Sequence, residues 1–128
     1  MNHQPRLDAI RDLGLHALAD RDVFSRITSL AAAMLGSPIS LLSIVEQERQ
    51  WFLGSTGTSV VETPISESFC AVCVQGNQPL LVRDAHGDPR FSDHNLLAKP
   101  PFARSYIGVP IRTDDGVPLG ALCAISPD

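Results

Sequence analysis

Apolar residues recur near the start of the chain with the three- and four-residue spacing of an amphipathic helix. The residues that share this pattern are Val23, Ile27, Leu30, Ala31 and Met34. Asp20 or Asp22 is suited to cap the start of this helix, and Gly36 is suited to end it. We expect the apolar face of the helix to pack against a flat surface such as a sheet.

A shorter helix is predicted ahead of it, with Leu7, Ile10 and Leu13 spaced three residues apart and Gly14 at its end. Three apolar residues make a narrow stripe. Such a stripe can form a seam with a second copy of the chain, or it can fold back onto its own domain. The sequence leaves both alternatives open.

After Pro38 the spacing becomes that of strands. In the predicted strand from Ile39 to Val45 both faces are apolar, which indicates a central strand that is covered on two sides. The polar pair Gln47 and Glu48 turns the chain into a second strand through Trp51, Phe52 and Leu53. Further strands are predicted at Leu80–Arg83, Tyr106–Arg112 and Pro118–Ser126, and Asp114-Asp115-Gly116 joins the last two as a hairpin.

A third helix is predicted to open at Ser66 and to end at Gly76. Its inward residues are Phe69, Cys70, Cys73 and Val74. This order of elements predicts an α+β fold with an antiparallel sheet. The strand residues that we expect to be mostly buried in it are Leu41, Ile44, Phe52, Val109, Ile111, Leu122 and Ile125.

One long connection, residues 84–104, stands between the predicted strands. Loops of that length in small domains are usually functional or disordered. The apolar residues of this connection are Phe91, Leu96, Leu97 and Phe102. They favour an ordered lid that packs over the sheet.

Composition limits the classes of protein. The chain has 128 residues, of which 44% are hydrophobic, and a net charge of −4, which indicates one globular domain over residues 1–128. Lys99 is the only lysine and the arginines are scattered, so we expect no direct nucleic-acid partner. No apolar run approaches the length of a membrane span or a secretory signal, and we therefore expect a cytoplasmic domain that does not insert into a membrane.

The three cysteines are the main candidates for chemistry. Cys70 lies near the start of the third helix, where the helix dipole can lower the pKa of a thiol, and Cys73 shares its face. A disulfide or a metal pair is therefore conceivable, although one pair without further ligands makes a weak zinc motif. The alternative, which we favour, is that these cysteines are ordinary buried residues of an apolar stripe.

Several short motifs, taken in order, resemble those of the GAF domain, a small-molecule-sensing module of signalling proteins. They are Asp22-Val23-Phe24, Gln50-Trp51-Phe52, Glu62-Thr63-Pro64, Ser68-Phe69-Cys70, Val82-Arg83-Asp84-Ala85 with Asp88-Pro89-Arg90-Phe91, Gly108-Val109-Pro110-Ile111, and Leu119-Gly120-Ala121-Leu122-Cys123. The resemblance covers essentially the whole chain. The chain is similar to domains at the N-terminus of bacterial sensor histidine kinases and diguanylate cyclases.

The resemblance implies a GAF-like, profilin-like fold: a central antiparallel sheet of five or six strands with helices on both faces. It implies a non-catalytic sensory domain that ends before a C-terminal helix and an output domain, and a homodimer through the N-terminal helix. The ligand, and with it any cofactor, is unknown. We expect a ligand pocket between the sheet, the third helix and the lid. The residues that we expect to line it are Phe69, Cys70, Asp84, Phe91, Tyr106 and Cys123.

An alternative is a thiol-based redox sensor, or an enzyme like the free methionine sulfoxide reductases. Those enzymes resemble GAF domains and use cysteines of the pocket and the lid. This chain has no cysteine between Asp84 and Arg104, and Cys123 falls on the last strand. The cysteine pattern of this chain therefore departs from that of the reductases.

For Asp84, which we expect in the pocket, a simpler alternative is that it only caps the lid.

Overall fold

The computed structural model describes residues 3–19, 21–91, 94, 97 and 102–128. Its centre is one sheet of six strands in the order β3-β2-β1-β6-β5-β4, with every neighbouring pair antiparallel. The strands are β1 (Ile39–Val45), β2 (Arg49–Thr56), β3 (Glu62–Pro64), β4 (Leu80–Val82), β5 (Ser105–Arg112) and β6 (Pro118–Ser126). The predicted antiparallel α+β fold is confirmed, and β1 is central as its two apolar faces indicated.

Helices cover both faces of this sheet. They are α1 (Gln4–Leu13), α2 (Asp22–Leu35) and α3 (Phe69–Gly76). Leu42 and Ile44 of β1 pack in the core on the α1 and α2 side, whereas Leu41 and Val45 pack in the core on the α3 side. No helix in the described part of the chain is long and apolar enough to cross a membrane.

The predicted start of α3 was two residues early. Ser66 lies in a short 3-10 turn, and it is Ser68 whose hydroxyl accepts a hydrogen bond from the backbone N–H of Ala71 at 3.0 Å. At the other end Asn77, with φ of 50°, takes the left-handed position that we assigned to the region of Gly76. The four inward residues predicted for this helix are all buried.

The face of α2 that packs on the sheet is not the one that the apolar spacing predicted. Thr28 and Ala32 are buried, whereas the predicted stripe points outward, with Leu30 61% and Met34 76% exposed. The reason is close packing: a Cβ placed on Gly54 of β2 would lie 2.5 Å from the carbonyl oxygen of Phe24. Only small side chains fit between a helix and a strand at that distance.

The set of strand residues expected to be mostly buried is partly correct. Leu41, Ile44 and Ile125 are buried, the members at positions 52, 111 and 122 are half-buried, and Val109 is 41% exposed. The contacts of α1 and α2 with the sheet concentrate on β1, β2 and β6, so the face of β5 on that side meets solvent.

The stripe of α1 folds back onto its own domain at its centre. Ile10 is 3% exposed and belongs to the core beneath α1 and α2, whereas Leu13 is 53% exposed. Arg6 is buried in the same helix and donates from Nε to the carbonyl oxygen of Val45 at 2.9 Å. This bond ties the helix to the end of β1.

The turn between β1 and β2 carries a small ionic network around Glu46. Its carboxylate accepts hydrogen bonds from Nε of Arg49 at 2.9 Å, Nε1 of Trp51 at 3.1 Å and Nε2 of His16 at 2.9 Å. Burial alone would raise the pKa of Glu46, but these three bonds outweigh it and hold that pKa below its ordinary value.

The described residues of the long connection after β4 include several that pack in the core on the α3 side of the sheet. Phe91 and Leu97 are buried as predicted, whereas Phe102 is 53% exposed and is not an anchor. Phe102 also adopts a positive φ of 57°. The fourth predicted anchor, Leu96, lies outside the described residues.

Candidate functional site

A pocket of about 340 Å³ opens on the α3 side of the sheet, at the start of α3 and along the segment that joins β2 to β3. Its apolar lining includes Ile39, Leu41, Phe52, Val60, Pro64, Phe69 and Ile125. Its polar lining includes Gln50, Thr58, Glu62, Thr63, Glu67, Cys70 and Tyr106. Apolar walls with a few orienting polar groups are typical of small-molecule sites, and so is this volume.

Gln50 of β2 holds the polar side of the pocket together. Its Oε1 accepts from the hydroxyls of Ser43 and Ser68, each at 2.6 Å, and its Nε2 donates to the hydroxyl of Thr63 at 2.9 Å and the carbonyl of Glu67 at 3.5 Å. Gln50 is only 4% exposed. One amide therefore connects β1, β2, β3 and the cap of α3.

Tyr106 of β5 reaches the same helix from the sheet. Its hydroxyl donates to Sγ of Cys70 at 3.2 Å. The ring follows its own strand across Gly108, where a Cβ would lie 2.2 Å from the Tyr106 hydroxyl oxygen. Glycine at position 108 is therefore required for the tyrosine to take this path.

Three thiols lie near one another in this core, and their environments differ. The neighbouring thiol of Cys123 and the hydroxyl bond from Tyr106 lower the pKa of Cys70 despite its burial. The pKa of Cys123 is raised well above its ordinary value, because the neighbouring sulfur of Cys70 and burial both disfavour its thiolate. Burial raises the pKa of Cys73 to about 11.

Of the six predicted site residues, three line the pocket: Phe69, Cys70 and Tyr106. Cys123, in the centre of β6, is 2% exposed and packs in the same core as Cys70. The ring of Phe91 packs at a tilt of 58° against that of Phe69, with centroids 4.8 Å apart, and Phe91 supports the pocket wall from behind because it does not line the pocket itself. These five residues are thus grouped around one end of α3.

Asp84 does not belong to this group and does not line the pocket, although we had expected it there. Its carboxylate accepts from the backbone N–H of His86 at 3.2 Å and pairs with Nε of Arg104 at 3.5 Å. Its side chain is 57% exposed. Its role is the simpler one considered from the sequence, a cap on the start of the long connection.

The sequence reasoning missed the other wall of the pocket. The segment after β2 and strand β3 contribute Gly57, Thr58, Val60, Glu62, Thr63 and Pro64. We had assigned this role to the long connection, whose described residues do not line the pocket. The available signal was Gln50, a polar residue in a strand of apolar neighbours, which needs buried partners.

The charge of the pocket lining is one-sided. Among its described residues none is Lys, Arg or His, whereas two are carboxylates. Glu62 is paired with Nη1 of Arg49 at 3.2 Å, on the outer side of β2. The backbone N–H of Ala71, in the first turn of α3, is already bound by Ser68. The described lining of the pocket therefore has few groups that could bind an anion.

Metal chemistry has no support in the described residues. No three His, Cys, Asp or Glu side chains among them are grouped so that they could hold an ion. A zinc site at Cys70 and Cys73 is accordingly not observed there.

A family model for the GAF domain matches residues 21–128. The chain belongs to the GAF domain family. A protein of Pseudomonas aeruginosa named as a cyclic di-GMP phosphodiesterase is 39% identical to this GAF domain over 116 residues. That match covers 91% of this chain and 20% of the other protein, so the chain spans about a fifth of the length of this curated relative.

Solved structures share the fold at low identity. The GAF domain of an Acinetobacter phosphoenolpyruvate-protein phosphotransferase has a TM-score of 0.65 at 16% identity, over 100% of this chain and 80% of that one. A free methionine-R-sulfoxide reductase of Thermoplasma acidophilum has a TM-score of 0.67 at 20% identity, over 89% and 78%. These likenesses establish the GAF-like architecture and carry no activity across.

Proposed function

We propose that this GAF domain is a small-molecule-sensing regulatory domain, without catalytic activity of its own, in a cytoplasmic bacterial signal-transduction protein. The observation that carries the proposal is the pocket at the start of α3, with its apolar walls and its buried Gln50 network. The relative named as a cyclic di-GMP phosphodiesterase supports a role in signalling. It also favours an enzyme of cyclic di-GMP turnover, over a histidine kinase, as the attached output.

The chemistry of the lining favours one class of ligand: a neutral or cationic small molecule that is mostly apolar and carries hydrogen-bond donors. Glu67 and Thr63 offer oxygen acceptors on one side, and Phe52, Phe69 and Ile125 are among the residues that offer an apolar surface on the other. A nucleotide phosphate finds no cationic side chain among the described lining residues. Phosphate recognition generally requires such a group or free helix N–H groups.

Ligand binding has a route to the rest of the domain through Gln50. A molecule that contacts Thr63 or Glu67 acts on groups that hydrogen-bond to this amide, and the amide holds the cap of α3 through Ser68. Sensing requires that the ligand prefer one of two arrangements of such an element. We propose α3 and the segment between β2 and β3 as that element.

The experiment is native mass spectrometry of the chain purified without denaturation, comparing two tryptophan variants. Val60 lines the pocket and is 48% exposed, whereas Val61 is 71% exposed and does not line it. We expect a small molecule to remain bound to the wild type and to Val61→Trp, and to be absent from Val60→Trp. Equal retention in both variants would refute the pocket as the sensing site.

The alternative, an enzyme like the free methionine sulfoxide reductases, makes a separate prediction. It requires turnover of methionine sulfoxide by the isolated chain with a thiol reductant. We expect none, because the described part of the long connection brings no thiol to the pocket. Sulfoxide reduction that is lost in Cys70→Ser would favour the enzyme instead.

The homodimer through α1 stays a prediction. Ile10 is buried against the domain's own sheet, so a second copy can meet only Leu13 and part of Leu7 on that stripe. A variant at Ile10 would therefore test folding rather than assembly. Leu13→Glu is the suitable change, because that side chain is 53% exposed.

A further inference from the structure

Two of the buried thiols of the domain, those of Cys70 and Cys123, lie in the core between α3 and the sheet. Cys70 belongs to α3 and lines the pocket, whereas Cys123 belongs to β6 and is covered by the helix. Cys123 is paired in the sheet with Gly108, over which the Tyr106 hydroxyl lies, and that hydroxyl donates to Sγ of Cys70 at 3.2 Å. Both cysteine side chains are 2% exposed, so the pocket is the route by which a small reagent reaches the first of them.

The two sulfurs are chemically unequal. Cys70 is the second residue of α3, at the positive end of the helix dipole, and it also accepts the hydroxyl of Tyr106 at 3.2 Å. Cys123 lies in the middle of a strand, paired with Leu41 on one side and Gly108 on the other. Negative charge is therefore favoured on Cys70, which is the arrangement of a nucleophilic thiolate beside a thiol that can resolve it.

We propose that Cys70 and Cys123 are a redox pair, oxidised to a disulfide by a hydroperoxide that enters the pocket. The Cys70 thiolate attacks one oxygen of the hydroperoxide, the O–O bond breaks, and the leaving oxygen takes a proton to become an alcohol or water. Cys70 is then a sulfenic acid. The sulfur of Cys123 attacks the Cys70 sulfur, the S–O bond breaks, and the hydroxide leaves as water with the proton of Cys123.

Oxidation of this pair would change the same element that the ligand contacts. A disulfide links α3 to β6 covalently, and it converts the sulfur that accepts from Tyr106 into an uncharged disulfide sulfur, which is a weaker acceptor. The pocket wall at Cys70 is then held in a different position. The redox state of the domain and the occupancy of its pocket are thereby coupled.

Cys73 supplies an internal control. It is on the same helix, but its thiol donates to the carbonyl of Gln78 at 3.5 Å, and burial raises its pKa to about 11. A thiol with so little thiolate at neutral pH reacts slowly with peroxide. We therefore exclude it as the thiol that attacks the peroxide, and its own thiol is bonded to Gln78 rather than to Cys70.

The test is peptide mapping of the 128-residue chain by mass spectrometry after treatment with hydrogen peroxide, with free thiols alkylated under denaturing conditions. We expect the three free thiols of the wild type to fall to one, with Cys70 linked to Cys123 and dithiothreitol restoring all three. Cys73→Ser should form the same link at the same rate. Tyr106→Phe should slow the loss of thiols by about three- to tenfold, because the bond that favours the thiolate is gone.

Replacing Cys123 with Ser or with Ala should leave a sulfenic acid at Cys70 that dimedone traps. Two variants are used so that one folded protein, checked by circular dichroism, is available. Three free thiols after peroxide, or a link that includes Cys73, would overturn the proposal. Failure here leaves the ligand experiment unaffected, because that one compares variants of Val60 and Val61.

Discussion

Replacement of Gln50 by leucine tests the buried network most severely. The two side chains are similar in size, so the change removes polar atoms with little change in volume. It leaves the hydroxyls of Ser43 and Ser68 without their acceptor and Thr63 without its donor. The serines are fully or almost fully buried, at 0% and 3% exposure, so water does not readily replace the amide.

The expected cost follows from those two serine donors. A buried donor left without a partner costs about 1 to 3 kcal/mol, so the two together cost about 2 to 6 kcal/mol. The leucine side chain recovers part of this through its apolar burial, and we expect a net loss of about 3 kcal/mol. In a domain of this size that lowers the melting temperature by roughly 10 °C.

The assay is urea unfolding followed by circular dichroism, with Gln47→Leu as the matched control. Gln47 lies in the adjacent turn and is exposed, so its replacement should change the free energy of unfolding by less than about 0.5 kcal/mol. The reasoning is refuted if the two leucine variants unfold at the same urea concentration. It is also refuted if Gln50→Leu is more stable than the wild type.

Three further predictions concern separate parts of the domain. Glu46→Gln should lower the free energy of unfolding by about 1 kcal/mol at pH 7. In urea unfolding measured across pH, this difference from the wild type should vanish as the pH falls through the pKa of Glu46, which lies below its ordinary 4.5. A difference that stays constant with pH would contradict this. Gly108→Ala should lower the free energy of unfolding by about 1 to 3 kcal/mol and displace the Tyr106 ring, because the added Cβ would overlap the tyrosine hydroxyl. The melting temperature and the tyrosine fluorescence measure these two effects, and unchanged values would contradict the packing. Leu13→Glu should convert a sedimenting dimer to a folded monomer, and a monomeric wild type would end the dimer prediction.

Strand positions could be predicted from the sequence because their pattern is local. The apolar run from Ile39 to Val45 and the turn at Asp114-Asp115-Gly116 each depend on neighbouring residues only. The inward face of α3 was predicted for the same reason. In each case one segment carries its own information.

The orientation of α2 could not be predicted in that way. A regular apolar stripe shows that a helix has two unlike faces, but it does not show which face meets the sheet. The deciding contact is between α2 and Gly54, a residue that lies in another element. A glycine within a strand is a sign of close backbone approach, and here it favours the small face with Thr28 and Ala32.

Only part of the pocket lining could be predicted from the sequence, for a similar reason. Phe69, Cys70 and Tyr106 belong to strongly patterned elements, and the structure brings them to the pocket. β3 has only three residues and no apolar run, so nothing local marks it as a wall. Its position depends on pairing with β2, which sets Gln50 opposite Thr63.

The central claim is that the pocket at α3 binds a neutral or cationic small molecule. The most direct measurement is protein-observed NMR of the chain with a fragment library divided into neutral, cationic and phosphate-bearing members. We predict shifts confined to residues around the pocket, caused by neutral or cationic fragments, retained in Val61→Trp and lost in Val60→Trp. Binding by the phosphate-bearing members alone, shifts that map elsewhere, or no shifts from any fragment would contradict the claim.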